Sequence, residues 1–275
     1  MSISAPRYAA APVPRTGRGS RVLAIAGREF YRRAVWGTLL AVGLTYATMI
    51  LVTVVSVWIA SLTGSLTLAS FDAVFGSPVW PLLMLIVATA AGAGTIAEDV
   101  GNRSFTLYRS RPIFLVDYLA AKTIACGAWM LVAAVGPGLS AVGVAAALGY
   151  ASPTVALDAA GAFAATGCLA AVFFTGLALA LSSLTDRALY AGVTIFGLVL
   201  SLYIGAAVVL SLTGNTYVLY GSPLDDLHAV VLGAFGSPGA SATSPGGSAV
   251  VLAGAGVGLW ALAGERLGRI EVVAE

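Results

Sequence analysis

Hydrophobic positions in this chain do not alternate with polar ones. They come in long runs separated by short polar segments. Six runs stand out: Trp36–Ala60, Val79–Ile96, Thr123–Leu148, Ala159–Leu184, Ala188–Leu212 and Ser248–Gly264. A helix needs about 20 mostly apolar residues to cross roughly 30 Å of hydrocarbon, so each run predicts a membrane-spanning helix, the second and sixth being the shortest. Period-two segments of about ten residues, the mark of a membrane barrel, are absent. Before the first run, Ser20–Val35 has a helical period instead. At about 100° per residue, Val22, Leu23, Ala26, Phe30 and Ala34 share one face, and Arg21, Arg28 and Arg32 share another. Ile25 and Arg33 break the pattern mildly. This predicts an amphipathic helix with its Arg side chains toward anionic lipid headgroups, or else a helical extension of the first span.

Composition agrees and excludes other classes. Charged residues make up 9% of the 275, against roughly 25% in soluble domains, while the AVILMFWYC set is 59%. So few charges cannot cover a soluble fold of this size, and so much apolar surface excludes disorder for most of the chain. Residues 1–20, rich in Ala, Pro, Gly, Ser and Arg, form a basic tail expected to be disordered. The first span starts too late and is too long for a secretory signal.

The charges are segregated. All 14 Lys and Arg lie in four blocks: Arg7–Arg33, Arg103–Lys122, Arg187, and Arg266 with Arg269. The three cation-free stretches between them each hold two spans. Their far-side loops carry Asp72, Asp158, Asp225, Asp226 and the single His, His228. The positive-inside rule therefore places both termini in the cytoplasm of a multi-pass cell-membrane protein. Trp36 and Tyr190 are expected near inner ends, and Trp58, Trp80 and Tyr150 near outer ends, as an aromatic belt.

The expected span cores hold no ionisable residue. Ion-coupled carriers usually keep one near the midplane, although some use backbone carbonyls at broken helices. Energy for transport would then enter from outside the bilayer. Enzyme signatures are missing too. The one Lys, Lys122, follows Ala121, so there is no P-loop. Two Cys and one His make no ordinary zinc site. Cys126 and Cys168 are expected as small buried residues. His228 has no Ser partner to suggest a nucleophilic site. Neither a catalytic residue, a cofactor or metal ligand, nor a nucleic-acid surface is expected. Small residues such as Gly92, Gly254, Gly256 and Gly258 suit close helix packing or a sliding contact.

Two connections are longer than joining helices requires. Glu98–Lys122 exceeds the usual helix–helix link of about 2–8 residues. It reads as a break at Gly101-Asn102, a short helix over Arg103–Arg109 with Phe105 and Tyr108 three apart, and a new helix from Pro112 into the third span. On the far side, Ser222-Pro223-Leu224-Asp225-Asp226 reads as a capped helix start, with Gly236 as its end. Such a helix is expected to re-enter the outer leaflet. Ser237–Ser248 reads as a flexible linker, and Asp186 as the N-cap of the fifth span.

As an ordered set, these pieces resemble the permease subunit of type-2 ATP-binding-cassette transporters over about residues 20–273. The best-matching stretch is Ala97–Lys122: the acids Glu98 and Asp99, the turn Gly101–Arg103, then Ser110-Arg111-Pro112, Tyr118 and Lys122. The Leu-Ser-Ser turn after the fourth span and the ending Glu265–Val273 are similar to the family as well. Phe114-Leu115 departs from it, since a second basic residue is common there. The resemblance implies an all-α integral membrane protein with six transmembrane helices. Residues 21–35 would be an amphipathic elbow helix (Arg21, Arg28, Phe30, Arg32), residues 36–264 the transmembrane domain and residues 265–275 a cytoplasmic tail. Glu98, Asp99, Arg103, Phe105, Tyr108, Arg109 and Arg111 would form a cytoplasmic coupling helix and its approach, and Pro223, Asp225, Asp226 and His228 an outer gate on the re-entrant helix. It further implies a homodimer or a pairing with a related permease, contact with membrane lipids, and a separate ATPase subunit that binds ATP and Mg. The other readings of the residues are a non-transporting scaffold that anchors a partner complex, and an ion-coupled carrier.

Overall fold

A computed structural model describes residues 17–63, 67–71, 75, 77, 79–102, 114–237, 239 and 241–272. Among them every regular element is helical. Helix α1 spans Arg18–Arg32 and α2 Trp36–Thr63. The second hydrophobic run is α3, Val79–Val87, a π-helical turn, Ala88–Gly92, and α4, Gly94–Gly101. Then follow α5, Leu115–Ala147, α6, Pro153–Ser183, α7, Ala188–Thr213, α8, Pro223–Ala234, and α9, Pro245–Val272. Short 3₁₀ turns occupy Leu68–Phe71 and Thr216–Gly221. Six helices are long and apolar enough to cross a membrane, with α3 to α4 counted as one. The described cations all lie at one end of this bundle, the basic end. The opposite, acidic end carries α8.

Several helices outrun the hydrophobic runs. The second span continues past Ile96 to Gly101, and the third begins at Leu115 rather than Thr123. At 1.5 Å per residue, the 33 residues of α5 cover about 50 Å, well beyond the hydrocarbon thickness. The added turns are charged, and they form because their charges neutralise one another, as described below.

Helix α6 is the axis of the bundle. Every residue from Phe173 to Ser183 is buried, as expected for a helix that is apolar all round. Helix α7 buries only Ala191, Gly192, Ile195, Val199 and Ala206, which leaves the rest of its apolar surface for lipid or another chain. Helices α6 and α9 meet backbone to backbone: a Cβ on Gly176 would lie 2.2 Å from the Gly256 carbonyl oxygen. Gly254 and Gly258 face open space, so of the three glycines in this run only Gly256 makes the close approach. Gly92 is a contact residue too, since a Cβ there would sit 2.4 Å from Ala178 Cβ.

At the acidic end, Phe163 packs against Phe75 and Phe235 with ring centroids 4.3 and 4.7 Å apart. Trp80 belongs to this cluster, 5.5 Å from Phe75 and fully buried, and not to an interfacial belt. Trp36, Trp58, Tyr150 and Tyr190 are exposed as the belt requires. Cys126 is buried but Cys168 is exposed, because its side of α6 lines an open apolar groove of about 400 Å³ between α5 and α9. Helix α8 starts as its sequence predicts: the Ser222 side chain accepts from the Asp225 amide, Pro223 takes the first turn, and Gly236 at φ +87° follows the end. The following stretch is not a free linker throughout. Thr243 and Ser248 are buried and hydrogen-bonded at 3.2 Å, and Tyr220 Oη accepts from the Ser244 amide at 3.0 Å. At the start of α7, Arg187 and not Asp186 holds the cap position, without a side-chain bond. The Asp186 carbonyl instead closes on Gly101, where a Cβ would come within 2.2 Å.

Candidate functional site

The long connection expected to meet a partner joins Asn102 to Phe114. Its predicted residues Arg103, Phe105, Tyr108, Arg109 and Arg111 lie outside the described residues. Glu98 and Asp99 lie within them, and so do the groups that hold both flanks of the connection in place.

Those groups come from three helices. Helix α1 turns Glu29, Arg32 and Arg33 toward α4 and α5. Lys122 Nζ, with no exposed surface, lies 2.6 Å from Asp99 Oδ2 and 2.9 Å from Glu29 Oε1. It meets them as close ion pairs, not as aligned hydrogen bonds. Tyr118 Oη donates to Asp99 Oδ2 at 2.8 Å, and Arg32 Nη1 donates to Asp99 Oδ1 at 3.1 Å. Arg33 forks onto Glu98 at 3.0 and 3.2 Å, also donates to the Gly94 carbonyl, and Arg32 reaches Glu98 at 2.8 Å. Three carboxylates thus face three cations, and the cluster is neutral. Arg18 adds a separate pair with Asp117 at 2.7 Å, at the start of α5.

Buried ions are costly unless paired; every charge of this set is paired, and Asp99 and Glu98 also accept hydrogen bonds. Its position agrees with that cost. Lys122 lies about 10 Å along α5 from its first residue, at 1.5 Å per residue, and so at the basic end and away from the midplane. The cluster ties α1, the end of the second span and the start of the third into one block.

The orientation of α1 differs from its apolar pattern. Ala26, Glu29 and Arg33 are its buried residues with Ile25 half-buried, whereas Leu23 is 64% exposed. The inward side mixes both sets: Ala26 and Phe30 of the apolar face pack inward, and Glu29 and Arg33 join them because part of the surface they meet is charged. Arg32 therefore enters the cluster and is not given over to headgroups. Arg28 is exposed and Arg21 half-buried. Phe30 stacks on Trp129 of α5 with centroids 4.5 Å apart and planes at 9°, and Trp129 Nε1 donates to the Phe30 carbonyl at 3.2 Å. Glu29 was the residue missed from sequence. Its signal was a lone acid spaced three and four residues from Arg32 and Arg33.

Just above the cluster, the π turn distorts the second span. Backbone groups around it are met by side chains from neighbouring helices. Ser182 Oγ accepts from the amides of Ile96 and Ala97 at 2.7 and 2.9 Å, and Thr38 Oγ1 donates to the Ala90 carbonyl at 3.3 Å. Single π turns are frequent at functional sites. Ser182→Ala would remove both of these buried hydrogen bonds, at about 0.5–1.5 kcal/mol each. A thermal melt of the purified protein is expected to show a clear drop for Ser182→Ala and almost none for the exposed Ser140→Ala.

Six spans, a neutral ion cluster at the foot of the second and third, and a reserved connection between them form one arrangement. A family model described as ABC-2 family transporter protein matches residues 60–257, which is most of the chain. The chain belongs to the ABC-2 transporter family. Comparison with curated proteins gives no match. An ABC-2 permease is a multi-pass membrane subunit for transport, not itself catalytic, and the family normally pairs with an ATPase subunit. The ABC-2 match begins within α2, so Glu29, Arg32 and Arg33 join the site from outside the matched stretch. At the other end of this permease, Pro223, Asp225, Asp226 and His228 all fall on α8. Asp226 is buried, and Asp225 and His228 are half-buried.

Proposed function

We propose that this permease is the membrane half of an exporter in the cell membrane. Two copies form the path, and two separate ATPase chains, which bind ATP and Mg, dock at residues 103–111 on the cytoplasmic side. Both termini lie on that side, as the segregation of all 14 cations supports. The observation that carries the reading is the ion cluster. It anchors Glu98 and Asp99 before the connection and Lys122 after it to the same helix, α1, and ties Tyr118 to Asp99 across the connection. A push on residues 103–111 would therefore move α1, α4 and α5 together, where a slack loop would absorb it. In this reading α1 is the elbow, and α8 closes the path outside.

The test is replacement of residues 103–111 by a Gly/Ser linker of equal length, with the chain co-expressed beside its ATPase subunit. Co-purification of the ATPase and ATP-dependent efflux are expected to fall at least tenfold while the permease still melts cooperatively. Unchanged binding and turnover would remove the coupling role.

A further inference from the structure

The basic end of the bundle carries a second group of cations, apart from the ion cluster. Past the close contact of Gly176 with Gly256, toward that end, α6 and α9 enclose a crevice of about 330 Å³. Helix α6 lines it with Ala180, Leu181 and Leu184, and α9 with Leu259 and Leu262. Ser183 lines it too, but its hydroxyl already donates to the Ala180 carbonyl at 2.7 Å. On α9, Leu259, Leu262, Arg266 and Arg269 are spaced three, four and three apart, which sets them on one stripe. The neighbouring stripe holds Ala263 and Leu267, fully buried in a cluster with Ile96, Tyr118 and Leu179. That packing fixes the rotation of α9 and leaves Leu262 56% exposed, with Leu184 of α6 60% exposed.

The charges sit at one end of this crevice. Arg266 and Arg269 both line it and both are exposed. Arg269 pairs with Glu265, the only acid among the lining residues. Arg266 makes no ion pair among the described residues, so two cations and one acid leave the margin positive. Leu259 lies about 10 Å along α9 from Arg266, at 1.5 Å per residue. Apolar walls that end at an exposed, unpaired guanidinium fit hydrocarbon beneath an anionic head. A zwitterionic head carries its own ammonium and gains less from a positive margin. A second copy packed here in the same orientation would set its own basic end against these cations. We propose that this crevice binds an anionic phospholipid from the leaflet at the basic end, its phosphate on Arg266 and Arg269 and one acyl chain along Leu262, Leu259 and Leu181. The site does not depend on the coupling role, since lipid binding can be read without an ATPase.

The test uses the full chain in phosphatidylcholine nanodiscs that contain a trace of phosphatidylglycerol or phosphatidylcholine with a photoactivatable diazirine on the acyl chain. Labelled residues are located by mass spectrometry after irradiation. At equal mole fraction, the phosphatidylglycerol probe is expected to label residues 180–184 and 259–262 at least fivefold more than the phosphatidylcholine probe, as one or two cations beside a headgroup would give. Arg266→Gln is expected to bring the two probes level. Arg187→Gln, which removes an exposed cation at the same end but outside the crevice, is expected to keep the wild-type preference within twofold. Leu262→Trp, which narrows the crevice, is expected to lower labelling of residues 180–184 by both probes at least fivefold. Equal labelling by the two probes in the wild type, or a wild-type preference in Arg266→Gln, overturns the site. Should Arg266→Gln fail to fold, Arg269→Gln, which leaves Glu265 unpaired at the margin, is expected to abolish the preference, and an unchanged preference there overturns the site equally. Labelling present in discs with one copy and lost in discs with two would give the crevice to a second copy and overturn the lipid site. Full protection by soluble glycerol phosphate would assign the cations to a free anion and overturn it as well.

Discussion

Lys122→Met is expected to cost about 3–5 kcal/mol of folding stability, the range for removing one partner of a buried ion pair. The ammonium has no exposed surface and is shared between Asp99 and Glu29, so its loss leaves an uncompensated negative charge between α1, α4 and α5. Methionine fills similar space, which confines the effect to the charge. Adding Asp99→Asn makes the cluster neutral again and is expected to recover at least half of the lost stability. Arg32 and Arg33 retain Glu29 and Glu98 as partners in that double variant. Thermal melts of the wild type, the two single variants and the double variant measure the coupling directly. If Lys122→Met melted with the wild type, the cluster would not be holding the three helices together.

The second large effect is expected at Gly176→Val. Any Cβ at this position would lie 2.2 Å from the Gly256 carbonyl oxygen and 2.9 Å from its carbon. Both atoms are backbone, so no side chain can swing aside and α6 and α9 must separate. Overpacking a close contact costs about 1–3 kcal/mol, occasionally more. Helix association within a membrane relies on such packing, so this variant is expected to melt well below the wild type and to lose transport. Gly254→Val, two residues before Gly256 and so on the opposite face of α9, with nothing within 4 Å of its added Cβ, serves as the control. Equal melting of the two variants would show that α6 and α9 can part without cost.

Much of the architecture was legible in sequence for a simple reason. A helix in lipid must satisfy its own backbone and show apolar side chains outward, so spans announce themselves as unbroken runs. The capped start of α8 was equally plain, because Ser222, Pro223 and the acids act within one turn. The site was legible only in part. Glu98, Asp99, Tyr118 and Lys122 stood out as an ordered set, but what each of them meets depends on helices brought together from distant parts of the chain. The inward face of α1 is legible in Ala26 and Phe30 but not in Glu29 and Arg33, whose partners lie on distant helices. Trp80 was assigned to the belt and lies instead in the Phe75 and Phe163 cluster, a contact that no local pattern encodes.

What the sequence determined by itself was the solvent of the chain, the number of its spans and the segregation of its charge, all of which depend on the preferences of single residues and their near neighbours. The tertiary structure decided which charges are partners. It put Glu29, Asp99 and Lys122 within one neutral cluster. Electrostatic pairing depends on separations of a few ångströms between residues far apart in the chain, and only the packing of the helices sets those distances.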